Sequence, residues 1–471
     1  MADMDIGIIG MAVMGSNLAL NMADHGFKVA AYNRTASLTK EVMEKTPHKN
    51  LQGFYDLAEF LHSLKSPRRV MLMIKAGKPV DSVIDELIPQ LDKGDIIIDG
   101  GNSFFEDTIR RYKYLQEKGI NYFGVGISGG EKGARFGPSI MPGGNKDEYK
   151  HVQPILEAIS AHVGEEPCCT YIGDNGAGHY VKMVHNGIEY ADMQLIAETY
   201  LLLRHVGGFD NKKLSQIFHD WNKGELHSYL IGITADIFAE NDENGQPGQL
   251  VDKILDSAGQ KGTGRWTSIQ SLKQGVDISM ITAACNTRVL SNLLEERKKA
   301  ASEITAPVYD DKVGEDFIEE VRKSLYAAKI IAYAQGFSLY NSASEKYGWH
   351  LDFGKIASIF RAGCIIQAEF LNKITEAYKK NKNLTNLMFD EFFLNNINEN
   401  QSSLRNIICL AIRKGIPIPA FSSALQYIDA HRSPQIGANL IQAQRDYFGA
   451  HTYARIDKDG VFHHKWQEHY N

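Results

Sequence analysis

The chain has 471 residues, too many for one ordinary core, and 43% of them are hydrophobic, enough to fill two or three. A formal charge of −6, from 51 basic and 57 acidic side chains, excludes a broadly basic nucleic-acid-binding protein. No apolar run approaches a membrane span, and the five cysteines fit no zinc or redox spacing, so neither nucleic acid nor membrane is expected as a partner.

The N-terminus, MADMDIGIIG, lacks the basic start and long apolar core of a secretion signal, and the cytoplasm is the expected compartment. From there IGIIG, VAAYN, VMLMI, DIIIDGG and NYFGVG are short apolar runs bounded by Gly, Asn or Asp, with amphipathic helical patterns between them. The alternation predicts a doubly wound, Rossmann-like α/β domain. PCCTYIGDNGAGH reads as its last strand and exit loop, which puts the domain at residues 1–178.

The first strand runs into Gly10-Met11-Ala12-Val13-Met14-Gly15, a G-x-A-x-x-G form of the dinucleotide fingerprint. Gly10 permits a tight turn, Ala12 still lets the backbone approach a pyrophosphate, and the helix that follows offers free N–H groups. The second strand ends at Asn33-Arg34-Thr35, where an NAD enzyme would normally carry an acid for the ribose hydroxyls. An amide, a guanidinium and a hydroxyl suit a 2′-phosphate, so NADP is the expected cofactor. Asp99-Gly100-Gly101-Asn102-Ser103 and Ser128-Gly129-Gly130 follow later strands, where α/β sheets bind ligands. The N–H groups of Gly129 and Gly130, with the Ser128 hydroxyl, could hold a carboxylate or simply form a structural turn.

From His179 to Ser433 helical periodicity dominates, which predicts an all-helical domain. It contains an apparent duplication: Ile217-Phe218 matches Ile359-Phe360, and Ile233-Thr234 matches Ile374-Thr375, after the similar turns FDNKK and LDFGK. In HYVKMVHNGIEY, Lys182 and Glu189 are two helical turns apart, about 10 Å between Cα atoms, with His185 and Asn186 between them. Spacing alone fits a solvated helix face. Downstream of a dinucleotide fingerprint the same four residues form a set of proton movers and orienting groups. Gln260-Lys261-Gly262-Thr263-Gly264-Arg265-Trp266 lacks the first glycine and the strand of a nucleotide P-loop, yet Lys261 in a glycine-flanked turn could meet a phosphate as a point charge. Arg288, Arg445 and His451 are further cationic candidates. Residues 434–471 form a tail with too few aliphatics for its own core, but Tyr447, Phe448, Tyr453, Phe462 and Trp466 are unlike a disordered segment and predict docking.

GMAVMG, YNRT, LMIKAG, DGGNS, GISGGEKGARFGPSIMPGG, VKMVHNGIEY, ILDSAGQKGTGRW and AQRDYFGAHTY occur in this order across the whole chain. Together they resemble the decarboxylating 6-phosphogluconate dehydrogenases. The resemblance implies oxidation of 6-phospho-D-gluconate by NADP, with release of CO2 and D-ribulose 5-phosphate, in a homodimer of the pentose phosphate pathway that needs no metal. It implies Lys182 as general base and Glu189 as general acid. It assigns Asn102, Ser128, Gly129, Gly130, His185 and Asn186 to the substrate's carboxylate and hydroxyls, and Tyr190, Lys261 and Arg288 to its phosphate end. Ile74, Lys75 and Ala76 resemble the loop over the cofactor, with Asn102 beside it, and Arg445 and His451 resemble residues donated by the partner's tail. The alternatives are a related 3-hydroxyacid dehydrogenase, such as a hydroxyisobutyrate dehydrogenase, and a catalytically dead NADP-binding scaffold. The first is much shorter and lacks QKGTGRW and the basic tail. The second should have lost Lys182 or Glu189.

Overall fold

A computed structural model of the chain describes residues 2–243, 247–309 and 312–466. The apolar runs assemble into a seven-stranded sheet. Its strands are β1 (Ile6–Ile9), β2 (Val29–Tyr32), β3 (Leu51–Phe54), β4 (Arg69–Leu72), β5 (Ile96–Asp99), β6 (Asn121–Ser128) and β7 (Ser139–Gly144), in the order β3-β2-β1-β4-β5-β6-β7. The first six are parallel, and β7 runs antiparallel to β6. Alternate side chains feed two apolar layers: Ile96 and Ile98 enter one core with Leu18 and Met22, while Ile97 enters the other with Phe60 and Ile84. The covering helices are α1 (Val13–Asp24), α2 (Ala36–Lys45), α3 (Leu57–His62), α4 (Lys78–Leu87), α5 (Phe105–Gln116), α6 (Gly130–Phe136) and α7 (Gln153–Ile159). Strand order reverses between β1 and β4, which opens the crevice where such sheets take ligands.

One element differs from expectation. PCCTYIGDNGAGH makes only single bridges, Cys169 to Ile140 and Gly173 to Gly143, after a two-residue hairpin of β8 (His162–Val163) and β9 (Glu166–Pro167). The last strand of the main sheet is instead β7, whose Pro142, Gly143 and Gly144 hide its periodicity. Proline is tolerated there because β7 has a full ladder on one side only.

The helical part comprises α8 (Ala177–Leu201), α9 (Asn211–Trp221), α10 (Tyr229–Ala239), α11 (Thr263–Gln274), α12 (Ser279–Ser291), α13 (Leu294–Glu303), α14 (Phe317–Tyr347), α15 (Phe353–Ile359), α16 (Leu371–Lys380), α17 (Glu391–Lys414), α18 (Pro419–Arg432) and α19 (Ala438–Gly449). The duplication is real and covers α8 to α12 and α14 to α18. Asp210 caps α9 through the Lys213 N–H, and Asp352 caps α15 through the Lys355 N–H. Helix α9 packs on α10 as α15 packs on α16. Helices α11 and α17 both end at a left-handed glycine, Gly275 and Gly415. The next N–H then turns back in each copy, Val276 to the Ser271 carbonyl and Ile416 to that of Ala411.

The long helices α8 and α14 cross at a buried ion pair, Lys329 Nζ to Asp192 Oδ1 at 2.5 Å. Each also caps a helix of the opposite repeat. Glu198 in α8 accepts the Ala420 and Phe421 N–H groups at the start of α18, and Gln335 in α14 accepts the Met280 N–H at the start of α12. The two repeats are therefore exchanged around the crossing rather than stacked side by side. Among the described residues no helix is long and apolar enough to cross a membrane.

The chain divides into two compact units, Met1–Ala424 and Leu425–Asn471. The second is held by a polar hub. Fully buried Asp446 accepts the Thr452 N–H and His463 Nδ1–H at Oδ1, each at 2.9 Å, and the His464 N–H and Trp466 Nε1–H at Oδ2, at 3.0 and 2.8 Å.

Candidate active site

Helix α8 begins on the sheet. A Cβ at Gly126 of β6 would collide with the side chain of Lys182, and one at Gly178 would collide with β6 and β7 backbone. Only glycine at these positions lets a helix lie so close to two strands, and the result is that the α8 polar residues face a dry interior. Lys182 and His185 are buried, and the Glu189 side chain keeps 20% of its surface.

The four residues expected from spacing form one array. Lys182 Nζ stands 3.5 Å from His185 Nδ1, and Glu189 Oε2 stands 4.0 Å from the same nitrogen on the other side. Asn186 Oδ1 lies 3.1 Å from Nδ1, and Asn186 Nδ2 donates to Thr263 Oγ1 at 3.1 Å. With its Nδ2 so committed, Asn186 presents an acceptor that places the imidazole proton on Nδ1. His185 Nε2 is then the acceptor for the Ser128 hydroxyl at 3.3 Å. Gly129, with φ 122°, turns the chain out of β6 into α6, which starts at Gly130.

Burial sets the charges. It depresses the Lys182 ammonium below its ordinary pKa, against the opposing pull of the Glu189 charge. It raises the Glu189 carboxyl, against Lys182 and Arg288. It holds His185 well below its ordinary value, and the neighbouring Lys182 adds to this. Burial therefore pushes all three groups toward their uncharged forms, which suits the amine to take a proton and the carboxyl to give one. At the far end Arg288 lies over the Tyr190 ring, 3.5 Å from its centre, and donates to the Gly259 carbonyl at 3.4 Å. Lys261 sits in the turn leading into α11, two residues before Thr263. Two participants were missed from sequence. Thr263 lies inside a motif read only for its lysine, and Cys364, a buried thiol in electrostatic range of Lys182 whose burial opposes its ionisation, carries no sequence signal.

The cofactor candidates line the sheet crevice. Gly10 takes φ 108°, and the Met11 N–H donates to Asn33 Oδ1 at 3.2 Å, which joins the glycine-rich turn to the end of β2. Ala12, Val13, Met14 and Gly15 open α1, whose start has no side-chain cap and so leaves N–H groups for a ligand. A cleft of about 400 Å³ is walled by Asn33, Arg34, Thr35, Ile74, Lys78 and Ser82, among others. Lys75 and Ala76 continue its rim toward α4, and Asn102 follows β5 on the adjacent loop. Lys78 and Ser82 were not anticipated. They come from the first turns of a helix whose motif gave no charge pattern. Arg445 and His451 belong to the second unit. Arg445 donates to Gln442 Oε1 at 3.1 Å, and His451 stands between Ala450 and Thr452, both left-handed with φ 50° and 59°.

Comparison with known proteins agrees with this layout. A family model described as the NAD binding domain of 6-phosphogluconate dehydrogenase matches residues 5–173, and one for the C-terminal domain of 6-phosphogluconate dehydrogenase matches residues 178–466. The chain is 54% identical to the NADP(+)-dependent, decarboxylating 6-phosphogluconate dehydrogenase of Bacillus subtilis, over 99% of this chain and 100% of that one. It is 53% identical to the NAD(+)-dependent, decarboxylating enzyme of the same organism, over 98% and 99%. A solved Plasmodium falciparum 6-phosphogluconate dehydrogenase superposes with a TM-score of 0.95 at 47% identity, covering 98% of this chain and 100% of that one. This chain belongs to the 6-phosphogluconate dehydrogenase family.

The buried array makes a direct prediction. The His185 imidazole stays neutral, as the Nδ1–H tautomer, through the pH range in which an ordinary histidine titrates, because burial opposes its protonation. Long-range ¹H–¹⁵N correlation spectra of the ring should show no titration in that window. A midpoint near an ordinary histidine value would contradict the geometry.

Proposed function

We propose that this chain oxidises 6-phospho-D-gluconate at C3 and decarboxylates the product to D-ribulose 5-phosphate and CO2, with NADP as the hydride acceptor, in the pentose phosphate pathway. The observation that carries the reading is the Lys182–His185–Glu189 array, in which burial on one helix face shifts an amine toward its neutral form and a carboxyl toward its protonated form. The residues present fit the cofactor: the fingerprint turn and the open start of α1 suit its pyrophosphate, and Asn33, Arg34 and Thr35 suit its 2′-phosphate. When bound, NADP supplies the acceptor for the C3 hydride.

The chain's own residues move the protons. Neutral Lys182 takes the C3 hydroxyl proton as the hydride leaves, which gives a β-keto acid and an ammonium. That ammonium hydrogen-bonds the new carbonyl, and as the carboxylate leaves as CO2 it returns its proton to the oxygen of the forming enediol. Glu189 then delivers its proton to C1 of the enediol while the now neutral Lys182 takes back the proton of the adjacent enediol hydroxyl, which leaves the ketone of D-ribulose 5-phosphate. Ser128, His185, Asn186 and Asn102 orient the carboxylate and hydroxyls, with Gly129 and Gly130 offering backbone N–H groups. Tyr190, Lys261 and Arg288 receive the phosphate end, where two cations and an aromatic edge suit a dianion. We place the enzyme in the cytoplasm as a homodimer, with Arg445 and His451 completing the partner's site. The dead-scaffold alternative is not favoured, since both proton-transfer residues are present and burial shifts each toward the form its role needs.

Lys182→Met should abolish both oxidation and decarboxylation, because one amine serves both steps. Glu189→Ala should lower turnover by about 10²- to 10⁴-fold with little change in substrate affinity. NADPH absorbance and released CO2 report the two steps, and full activity in Lys182→Met would sink the assignment.

Cofactor choice rests on the end of β2, because relatives of nearly equal identity are named for different cofactors. Arg34→Ala should weaken NADP by roughly 1.5–3 kcal/mol, the range for a hydrogen bond to a charged group, and leave NAD nearly unaffected. Equal loss for both cofactors, measured by fluorescence titration, would remove Arg34 as the phosphate reader.

The shared-site reading has its own test. Lys182→Met and Arg445→Ala should each be inactive, and mixing them under subunit exchange should restore one working site per mixed dimer. Absence of recovery, with exchange verified by mass spectrometry, would assign the tail to its own subunit.

A further inference from the structure

The loops lining the crevice are stacked at the carboxyl ends of β1, β4 and β5. Gly10 leaves space for the Met73 carbonyl, Gly100 leaves space for the Met73 sulfur, and the Ile74 carbonyl stands 3.1 Å from where a Cβ at Gly101 would be. The Met73 N–H donates to Ile9 and the Gly100 N–H to Leu72, at 2.8 and 3.0 Å. The inner end of the Ile74–Ala76 loop is thus tied by sheet-like hydrogen bonds and close packing. Its outer end, where the chain enters α4, is beyond the sheet and meets a buried side chain from α5, Arg111.

Arg111 has no exposed surface. Its Nε and Nη2 donate to the two oxygens of Asp81 at 2.8 and 3.1 Å, and Nη2 also donates to the Gly77 carbonyl at 3.0 Å. Gly77 is the N-cap of α4, and Asp81 lies in its first turn. On the opposite side Nη1 faces Asp99 Oδ2 at 3.6 Å. Asp99, also fully buried, accepts the Ser103 hydroxyl at 2.6 Å, the Tyr122 hydroxyl at 2.9 Å and the Gly101 N–H at 3.1 Å. Both neighbours of Asn102 therefore hang on Asp99, and the end of the cofactor loop hangs on Arg111. One planar guanidinium joins the two, a bridge that a flexible point charge cannot reproduce.

We propose that Arg111 is a positioning residue for hydride transfer: it sets the separation between the Ile74–Ala76 loop and the Asn102 loop, and so the register in which cofactor and substrate meet. The proposal rests on the functional reading given above. Arg111 itself, with no exposed surface, touches neither ligand. Hydride transfer is steeply sensitive to placement, and a displacement of about 1 Å can cost on the order of 10²-fold in rate. A clamp beneath both loops is a place where such precision could be held or lost.

The test uses the full-length enzyme, NADP, and 6-phosphogluconate with hydrogen or deuterium at C3. Arg111→Met should lower kcat/KM for NADP by about 10²-fold and raise the deuterium isotope effect on kcat, since hydride transfer becomes the slow step. Arg111→Lys should recover thermal stability but not the isotope effect, because an ammonium cannot span both carboxylates. Asp81→Asn, at a partly exposed position, should release only the cofactor side and raise KM for NADP more than KM for 6-phosphogluconate. If Arg111→Met does not fold, Arg111→Lys and Asp81→Asn decide the matter. Folded variants with wild-type constants and a wild-type isotope effect, whatever their melting temperatures, would reduce Arg111 to a structural residue and overturn the proposal alone. A wild-type enzyme unable to reduce NADP with 6-phosphogluconate would overturn the functional reading and this proposal with it.

Discussion

The close approach of α8 to strands β6 and β7 is the constraint on which the site depends. Side chains larger than hydrogen at Gly126 or Gly178 would push the helix away from the sheet. Water could then reach Lys182 and His185, and the charges would revert to those of an ordinary solvated helix face. The array's chemistry follows from dryness rather than from residue type: the same lysine, histidine and glutamate exposed to solvent would be ammonium, near-neutral ring and carboxylate. Burying them costs stability that no single hydrogen bond recovers. That cost is borne by the dense packing around a helix shared between sheet and helical repeat.

The repeat supplies the rigidity. Two pairs of residues on α8 and α14 are equally spaced along the chain, Asp192 with Lys329 and Glu198 with Gln335, each 137 residues apart (329 − 192 and 335 − 198). The equal spacing is in keeping with the duplication, in which each capping residue serves the opposite copy. A buried ion pair is often no more stabilising than apolar residues of similar size, but its geometry fixes how two long helices can cross. Only one copy keeps the proton-moving array. The residues of α14 seven and ten positions before Lys329 are Arg322 and Glu319, which pair with each other on the surface instead. Duplication thus built the scaffold, and burial of one long helix against the sheet gave one copy its chemistry.

Much of this was legible in the sequence because the informative features are local. The glycine-rich turn, the acid-free end of β2 and the two-turn spacing of Lys182 and Glu189 each depend on residues close together in the chain, and each lies where expected. The duplication could be read from a few short matches because both copies use the same N-cap and the same left-handed glycine stop. What escaped depends on distant partners or on masked periodicity. Strand β7 is broken by proline and glycines, and β3, LQGF at the sheet edge, exposes Gln52 and so presents no apolar run. Arg111 binds Asp81 30 positions away, Cys364 lies far along the chain from Lys182, and Lys78 lines the cleft from the first turn of α4; nothing in their immediate neighbours distinguishes them from ordinary core or surface side chains.

The tail shows why composition alone misjudges a segment. Few aliphatics predicted no core of its own, and among the described residues 434–466 only Asp446 is buried, with four hydrogen bonds to backbone and ring N–H groups. One of those bonds fixes Thr452, which with Ala450 holds His451 between two non-glycine residues in left-handed conformations. Such backbone costs about 1–3 kcal/mol per residue and persists only where the surroundings over-determine it. A hub that spends its hydrogen bonds on keeping a strained turn around one exposed histidine is better explained by the need to present that ring than by the stability of the tail. The same residue types in an unstrained turn would fold the segment at lower cost, so the strain supports the reading of His451, with Arg445 one turn upstream of the hub's loop, as a ligand-facing pair.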